Sequence, residues 1–470
     1  MNLYNFSKYF SQTIRIFFIQ RKSKYVITIL LLVTSVVLII NIINYNIQLG
    51  YDAAAHKWYV EVMPLNLPTD QDTYEFFSPP LPYLAPSIVD SICDKLVDVK
   101  NNSLDCEFIY GKVTQIIQSF MFLAIIFFYI NICNYIFPKN NEFLISTVLL
   151  LILIPANYKT FSMLRGEPYI SFFISWFLFV FCRLIKKEFK LNKNDILSVG
   201  ILLGLLGLSR QWAFLFLLSF GIYSLSLFKL NDKAFNLKLF KHISSIFILA
   251  FIISGWFYIN LFLNYGSFTT FNEIPQEINI RNNPESFYTS TGLKDLMLFK
   301  EPFRGTKMQK GFFPIMHSDV WGDYWGYFLV RTGREGYDIN IQAILPYLGK
   351  VNFLALIPSS LYLIGIIFSF KYMKRKNENI NIIRSNFYLL LNIFLIIGWL
   401  GFIWFNTKYP EEKMDTVKAT YVIYLINLLP FYGSLVLNKL RKINSNLYNS
   451  LISILFIILF YNIPAMITRF

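Results

Sequence analysis

"YVITILLLVTSVVLIINIINYN", residues 25 to 46, decides the class of fold: it has no charged side chain and exceeds the roughly 20 apolar residues that carry a helix across a bilayer. Ten further runs repeat the pattern: Val113–Ile136, Phe143–Ile154, Pro168–Ile185, Ile196–Leu208, Trp212–Phe228, Ile243–Leu263, Val351–Phe370, Phe387–Phe405, Ala419–Leu437 and Leu451–Ile467. The expectation is an all-α membrane protein with about eleven transmembrane helices. Phe143–Ile154 and Ile196–Leu208 are short for a crossing, and each reads equally well as a broken or re-entrant helix. The whole chain agrees with a polytopic class: 470 residues, 55% hydrophobic, 19% aromatic and only 15% charged, with a mean hydropathy of +0.47. The first run has basic flanks but is as long as a full span, and no small-residue cleavage site follows it, so it reads as a retained helix.

A net charge of +15 raises the question of nucleic acid. Many of the basic residues lie in short gaps between apolar runs, as in "RLIKKEFKLNKND" (183 to 195), "KLNDKAFNLKLFKH" (229 to 242) and "KYMKRKNENINIIR" (371 to 384). Those gaps read as cytoplasmic loops, which explains the charge without a nucleic-acid partner. The same rule puts the N-terminus in the cytoplasm and two long segments, 47–112 and 264–350, on the extracytoplasmic side, within a single transmembrane domain spanning 1–470.

No phosphate-binding glycine loop, HExxH, GxSxG or dinucleotide fingerprint is present, and three histidines make a histidine-rich zinc site a poor reading. Cys133 and Cys182 fall inside apolar runs, where a thiol is a small apolar side chain. Cys93 and Cys106 share the first outer segment, an oxidising compartment on this topology, so a disulfide between them is expected.

The polar chemistry gathers in the outer segments. "GYDAAAHKWYVEVMPLNLPTDQDTYEFFSPPLPYL" (50 to 84) sets Asp52 and His56 four residues apart, with Tyr59 three further on, one face of a surface helix. Asp52 would equally serve as an ordinary helix cap. "YEFFSPPLPYL" then joins an acid and aromatics to a Pro-Pro pair, a stiff extended segment.

Taken together, the Asp, the His four residues on, the Tyr and the Pro-Pro-Leu-x-Tyr some thirty residues later resemble the first outer loop of the C-type (GT-C) membrane glycosyltransferases. They are nearest to the family-39 branch of protein O-mannosyltransferases and lipid-A aminoarabinose transferases. The resemblance implies that Asp52 is the catalytic base or its close partner. Many members carry two adjacent acids there, whereas Ala53 follows Asp52.

"TFSMLRGEPYISFFISWFLFV" (160 to 180) is similar to a second motif of that superfamily and places Arg165 and Glu167 before the fourth run. Glu167, followed by Pro168, also suits the first turn of a helix. "GLSRQWAFLF" (207 to 216) sets Arg210 between two runs, where an ionisable residue is a functional candidate that can also snorkel. In "YPEEKMDTVKATYVIYLINLLP" (409 to 430), Lys418 resembles a Lys recurring beside these motifs and is suited to a phosphate.

"MHSDVWGDYWGYF" (316 to 328) alternates aromatics with Asp and Gly. Asp319, Trp321, Asp323 and Trp325 read either as a sugar-stacking platform or as an interfacial aromatic belt.

The function these readings imply is transfer of a sugar from a polyprenyl-phosphate donor to a lipid, glycan or protein acceptor, with inversion, at a bacterial plasma membrane. Asp52 would take the acceptor proton, its pKa modestly raised by desolvation, and Glu167 is the second acid. Arg165, Arg210, Lys418 and Arg331, with His56, form the pool facing the donor phosphate; Tyr59, Trp321, Asp323 and Trp325 face sugar or acceptor. No cofactor is read directly; a divalent metal held by Asp52 and Glu167 would also keep both acids ionised. A lipid-linked polysaccharide polymerase, a transporter or flippase, and an assembly factor without chemistry are the competing readings. Against the transporter, no internal repeat is evident and the charges lie at helix ends.

Overall fold

The computed structural model describes residues 21–100, 105–228, 232–272, 275–291, 297–304, 311–330, 341–372, 379–410 and 415–469. All regular structure among them is helical, and the eleven apolar runs fall on helices. Seven helices are long and apolar enough to cross a membrane, and nine crossings result if each of two bent pairs is one span. The elements used below are α1 (Arg21–Asn44), α2 (Ala53–Val62), α3 (Leu81–Lys100), α4 (Cys106–Ile136), α5 (Asn141–Ile152), α6 (Pro155–Ser162) and α7 (Glu167–Lys186). They continue with α8 (Lys193–Gly207), α9 (Ala213–Leu225), α10 (Lys233–Tyr265), α11 (Phe312–Trp321), α12 (Leu356–Ser369), α13 (Asn379–Lys408), α14 (Leu429–Ile443) and α15 (Ser445–Met466). Helices α8 and α9, 15 and 13 residues long, are the two runs that fall short of a span.

Side-chain caps start the helices. Asp105, Asn140, Asp232 and Asn444 each accept from the backbone amide three residues on, and Asn192 with Asp195 closes a reciprocal capping box on α8. Each meets amides that a helix start leaves unpaired. Bilayer interiors demand the same of every backbone group, which explains how the chain tolerates a break between α5 and α6. The two helices meet at 56° because Pro155 has no N–H for the Leu151 carbonyl. The Asn157 amide donates to that carbonyl at 3.1 Å, and the hydroxyls of Tyr362 and Tyr158 donate to Leu150 and Ile152 at 3.0 Å each. The bend turns α6 back into the bundle and delivers Lys159 and the 163–166 loop to one end of it. A second bend, 45°, separates Ala419–Ile426 from α14.

The core is nearly continuous through the bundle, and the first described helix is tied to the last. Asn41 on α1 donates to the Met466 carbonyl at 2.8 Å and accepts from the Thr468 amide at 2.9 Å. Helices α12 and α14 approach so closely that a Cβ on Gly365 would lie 2.1 Å from the Tyr432 carbonyl oxygen. Cys93 on α3 and Cys106 on α4 are joined as a disulfide, Cα to Cα 5.6 Å; Cys133 and Cys182 are free and buried.

Candidate active site

Five residues singled out in the sequence converge at one end of the bundle, although they come from four separate stretches of chain. The Asp52 carboxylate lies 3.7 Å from Arg165 Nη1 and 3.7 Å from Lys418 Nζ. Arg165 Nε reaches Glu167 at 3.1 Å, and Arg210 Nε reaches the other oxygen of Glu167 at 3.3 Å. Arg210 continues to Glu75 at 2.7 Å, and Lys418 is also paired with Asp415 at 3.1 Å. The result is one chain of alternating charge. Its arginines are clamped by close backbone approach, since a Cβ on Gly166 would lie 2.4 Å from the Ser209 carbonyl.

Two members are exposed: the side chains of Asp52 and Asp415 are 42% and 40% accessible, whereas those of Arg165 and Glu167 are 0% and those of Lys418 and Arg210 6%. Asp52 occupies the N-cap position of α2, but in the left-handed region (φ 55°) and without a side-chain capping bond. That conformation is unfavourable for a residue with a Cβ, and the carboxylate it turns away from the helix amides meets the two cations instead. The expectation that Asp52, His56 and Tyr59 share a face of one helix is therefore corrected: Asp52 precedes the helix, and the other two turn inward.

Burial would raise the Asp52 carboxyl, but Lys418 and then Arg165 outweigh it and hold the group well below the usual carboxylate range. The modest rise expected for a base does not occur, because nearby charge dominates over desolvation. Lys418 is opposite: burial would lower it, yet Asp52 and its other neighbours raise it well above its ordinary value. Burial also favours a neutral Glu75, and Arg210 overrides this to leave it at about 2.

His56 is pushed down to about 4 by burial, against the pull of Glu75, so at neutral pH it offers no positive charge to a phosphate. Its Nδ1 is 2.7 Å from the Tyr83 hydroxyl, and Nε2 has no hydrogen-bond partner. Ser78 donates to Glu75 and accepts from Arg210. Tyr59 stacks on Tyr83 with ring centroids 3.8 Å apart and donates to the Ser78 carbonyl at 2.7 Å. It braces the first loop and is fully buried.

Tyr51 and Tyr421 floor the site. Lys418 lies 5.2 Å and Arg165 5.6 Å from the Tyr51 ring centre, and both lie 5.3 Å from that of Tyr421, within cation–π range. Arg165 Nη2 is buried and has no hydrogen-bond partner, an unused donor on the guanidinium whose Nη1 faces Asp52.

The aromatic platform is a second correction. Trp321 and Trp325 are 2% and 3% exposed, with indole N–H groups given to Ser359 Oγ at 3.1 Å and the Val417 carbonyl at 3.0 Å. Asp323 accepts from the amides of Tyr327, Phe328 and Leu329. Gly and Asp here serve a tight packed turn, leaving no ring face or acid for a sugar. Arg331 lies outside the described residues. Glu75 and Lys159 belong to these charge networks without having been assigned a role from sequence; the available signals were an acid set among aromatics and prolines, and a lone Lys between two apolar runs.

A divalent metal between Asp52 and Glu167 does not fit. The Arg165 guanidinium already joins the two carboxylates, Arg210 takes the second Glu167 oxygen, and no three His, Cys, Asp or Glu side chains cluster as ligands among the described residues.

The fold is that of a polytopic, all-helical membrane protein. The crystal structure of the oligosaccharyltransferase of Archaeoglobus fulgidus in its apo form matches it with a TM-score of 0.51 at 16% identity, over 96% of this chain and 57% of that one. This chain thus corresponds to a little over half the length of that enzyme. A scan of protein-family profiles gives no match, and neither does a comparison with curated proteins.

Proposed function

We propose that the protein is a membrane glycosyltransferase of the C-type architecture, moving a sugar from a polyprenyl-phosphate donor to a hydroxyl acceptor on a lipid, glycan or protein. The single observation that carries this reading is Asp52: one accessible carboxylate held by two buried cations, in a backbone conformation that serves no helix cap. The likeness in fold to an oligosaccharyltransferase supports the class, and the first-loop pattern supports the O-mannosyltransferase-like branch. On the charge-based orientation the N-terminus is cytoplasmic and this end of the bundle faces the extracytoplasmic side of a bacterial plasma membrane.

In the transfer step the acceptor oxygen attacks the anomeric carbon from the face opposite the phosphate. The new glycosidic bond forms as the bond from carbon to phosphate oxygen breaks, the acceptor proton passes to Asp52, and polyprenyl phosphate departs with the electron pair. Lys418 and the free Nη2 of Arg165 stabilise the charge developing on that phosphate. A carboxylate held so acidic is a poor base at rest, but the groups that lower it are the ones a phosphate engages. Donor binding offsets their charge and raises the proton affinity of Asp52 when the acceptor needs it.

The test is transfer of radiolabelled sugar from polyprenyl-phosphate donors by the purified full-length protein in lipid, comparing wild type with Asp52→Asn at matched folded fraction. Transfer by wild type and its loss in the variant is the expected result. Equal transfer by both would remove Asp52 as base, and no transfer from any donor would overturn the reading in favour of a transporter or a polymerase.

A further inference from the structure

Below the exposed site lies a second charge group that the mechanism does not use. Asp319 on α11 is fully buried, as is Lys159 on α6. Lys159 Nζ donates to Asp319 Oδ1 at 2.5 Å and to its carbonyl at 3.1 Å, and lies 3.8 Å from Asp323. Asp323 is already satisfied by three backbone amides, so Asp319 is the principal counterion. Asp319 accepts two further bonds: the Tyr51 hydroxyl donates to Oδ1 at 3.2 Å and the Ala419 amide to Oδ2 at 2.7 Å.

The identity of those two donors gives the cluster its meaning. Tyr51 immediately precedes Asp52, its carbonyl accepts from Arg165 Nη1 at 3.1 Å, and its ring lies beside Lys418 and Arg165. Ala419 immediately follows Lys418. We infer that Asp319 is a positioning residue: one carboxylate from the second long segment fixes the chain on either side of the site and so sets the separation of Asp52 and Lys418.

The three donors engage both oxygens of the carboxylate. It has lone pairs on both oxygens for a phenol, an ammonium and an amide N–H. An Asn of the same shape has one oxygen, and its NH2 would face a donor whichever way it is turned. A purely structural ion pair needs neither Tyr51 nor Ala419. The network also explains a buried Lys at the bend, since its ammonium is the partner that Asp319 needs in a dry site.

This inference rests on the glycosyltransferase reading for its kinetic consequences, though not for its geometry. The test uses full-length Asp319→Asn, Tyr51→Phe, which keeps the ring and removes one bond, and the double variant. Steady-state transfer would be measured per folded molecule, and a cryo-EM structure of each single variant determined. The expected results are kcat lowered on the order of 100-fold in Asp319→Asn and about tenfold in Tyr51→Phe. Donor KM should rise only in Asp319→Asn, which alone loses the Ala419 contact beside Lys418. The double variant should be no worse than Asp319→Asn, because Tyr51 acts through Asp319. The Asp52–Lys418 separation should exceed its 3.7 Å in both.

Multiplying effects in the double variant, or an unchanged separation with wild-type kcat, would overturn the inference. If Asp319→Asn does not fold, Tyr51→Phe with unchanged kcat and separation has the same force. A wild type that transfers no sugar sinks the glycosyltransferase reading alone, and the separation in the variants still decides the positioning role.

Discussion

Two charge groups sit at the same end of this bundle, one open and one sealed. In the first, Asp52, Arg165, Glu167, Arg210 and Glu75 alternate in sign along a chain that Lys418 joins at Asp52, and Asp52 is 42% exposed. In the second, Lys159, Asp319 and Asp323 are equally well paired but no more than 1% exposed. Burying charges in this way costs more than an apolar core would, so stability alone does not account for either. Pairing by itself does not distinguish the two groups; the difference lies in Asp52, an outward-facing carboxylate that bridges two buried cations. The sealed group holds what flanks that carboxylate.

Substitutions can break that contrast. The largest effect is expected from Asp52→Asn, with kcat down about 10²- to 10⁴-fold, as for loss of a general base. Melting temperature should fall only modestly, because Arg165 keeps Glu167 and Lys418 keeps Asp415 as partners. A matched loss of stability and activity would place Asp52 with the sealed residues. Lys159→Met should do the reverse. It leaves Asp319 buried without its counterion and is expected to cost about 3–5 kcal/mol of stability, seen as a lower melting temperature and a smaller folded fraction. A folded, fully stable Lys159→Met protein would show that the second group is not needed as a support.

Much of this arrangement was legible in the sequence, for an identifiable reason. Asp52, Arg165, Glu167, Arg210 and Lys418 each stand at the edge of an apolar run, where an ionisable group has few options besides a partner or a function. Alternation of runs put all five on one side before any contact was known. Glu75 lies inside a long polar segment, where an acid has no such constraint. Lys159 was hidden by the break between α5 and α6: only the carbonyls rescued by Tyr362, Asn157 and Tyr158 reveal that the chain bends there and carries a Lys inward. The "DVWGDYWGYF" stretch misled because Trp and Asp have the same composition in a sugar platform and in a packed turn. Whether Trp325 shows its face or donates its N–H to Val417 is decided by tertiary contacts.

A smaller effect tests how the first loop is held. The disulfide joins α3 to α4 at a separation of 13 residues, and the next residue, Glu107, pairs with Lys57 of α2 at 2.7 Å. Closing a loop of that size contributes about 3 kcal/mol at most. Cys93→Ala/Cys106→Ala should therefore lower the melting temperature by several degrees and weaken transfer through the frame around Asp52. Unchanged stability in the double variant and in reduced wild type would show that the Lys57–Glu107 contact suffices.

The smallest effect concerns His56 and needs its sign worked out. Its pKa falls from 6.5 to about 4 on folding because burial disfavours the imidazolium. Above pH 6.5 neither state is protonated at this group. Below it the unfolded chain takes up a proton that the folded protein refuses, so stability declines with acidification until the folded group titrates near 4. By pH 5 the loss is about 2 kcal/mol. Asp52 and Glu75, both lowered on folding, contribute losses only at more acidic pH. Asp90 works the other way: burial and then Asp94 raise it to about 6, so the folded state gains protons first and is favoured by acid. Since Asp90 is present in both proteins, comparing melting temperatures of wild type and His56→Gln from pH 7.5 to 5 isolates the histidine. The variant should start lower, through the lost Tyr83 bond, and the gap should narrow as pH falls. A constant gap would mean that folding leaves the His56 pKa unshifted, and a gap that widens toward acid that it is raised, which would return His56 to the phosphate-binding group and move the boundary between the open and sealed regions.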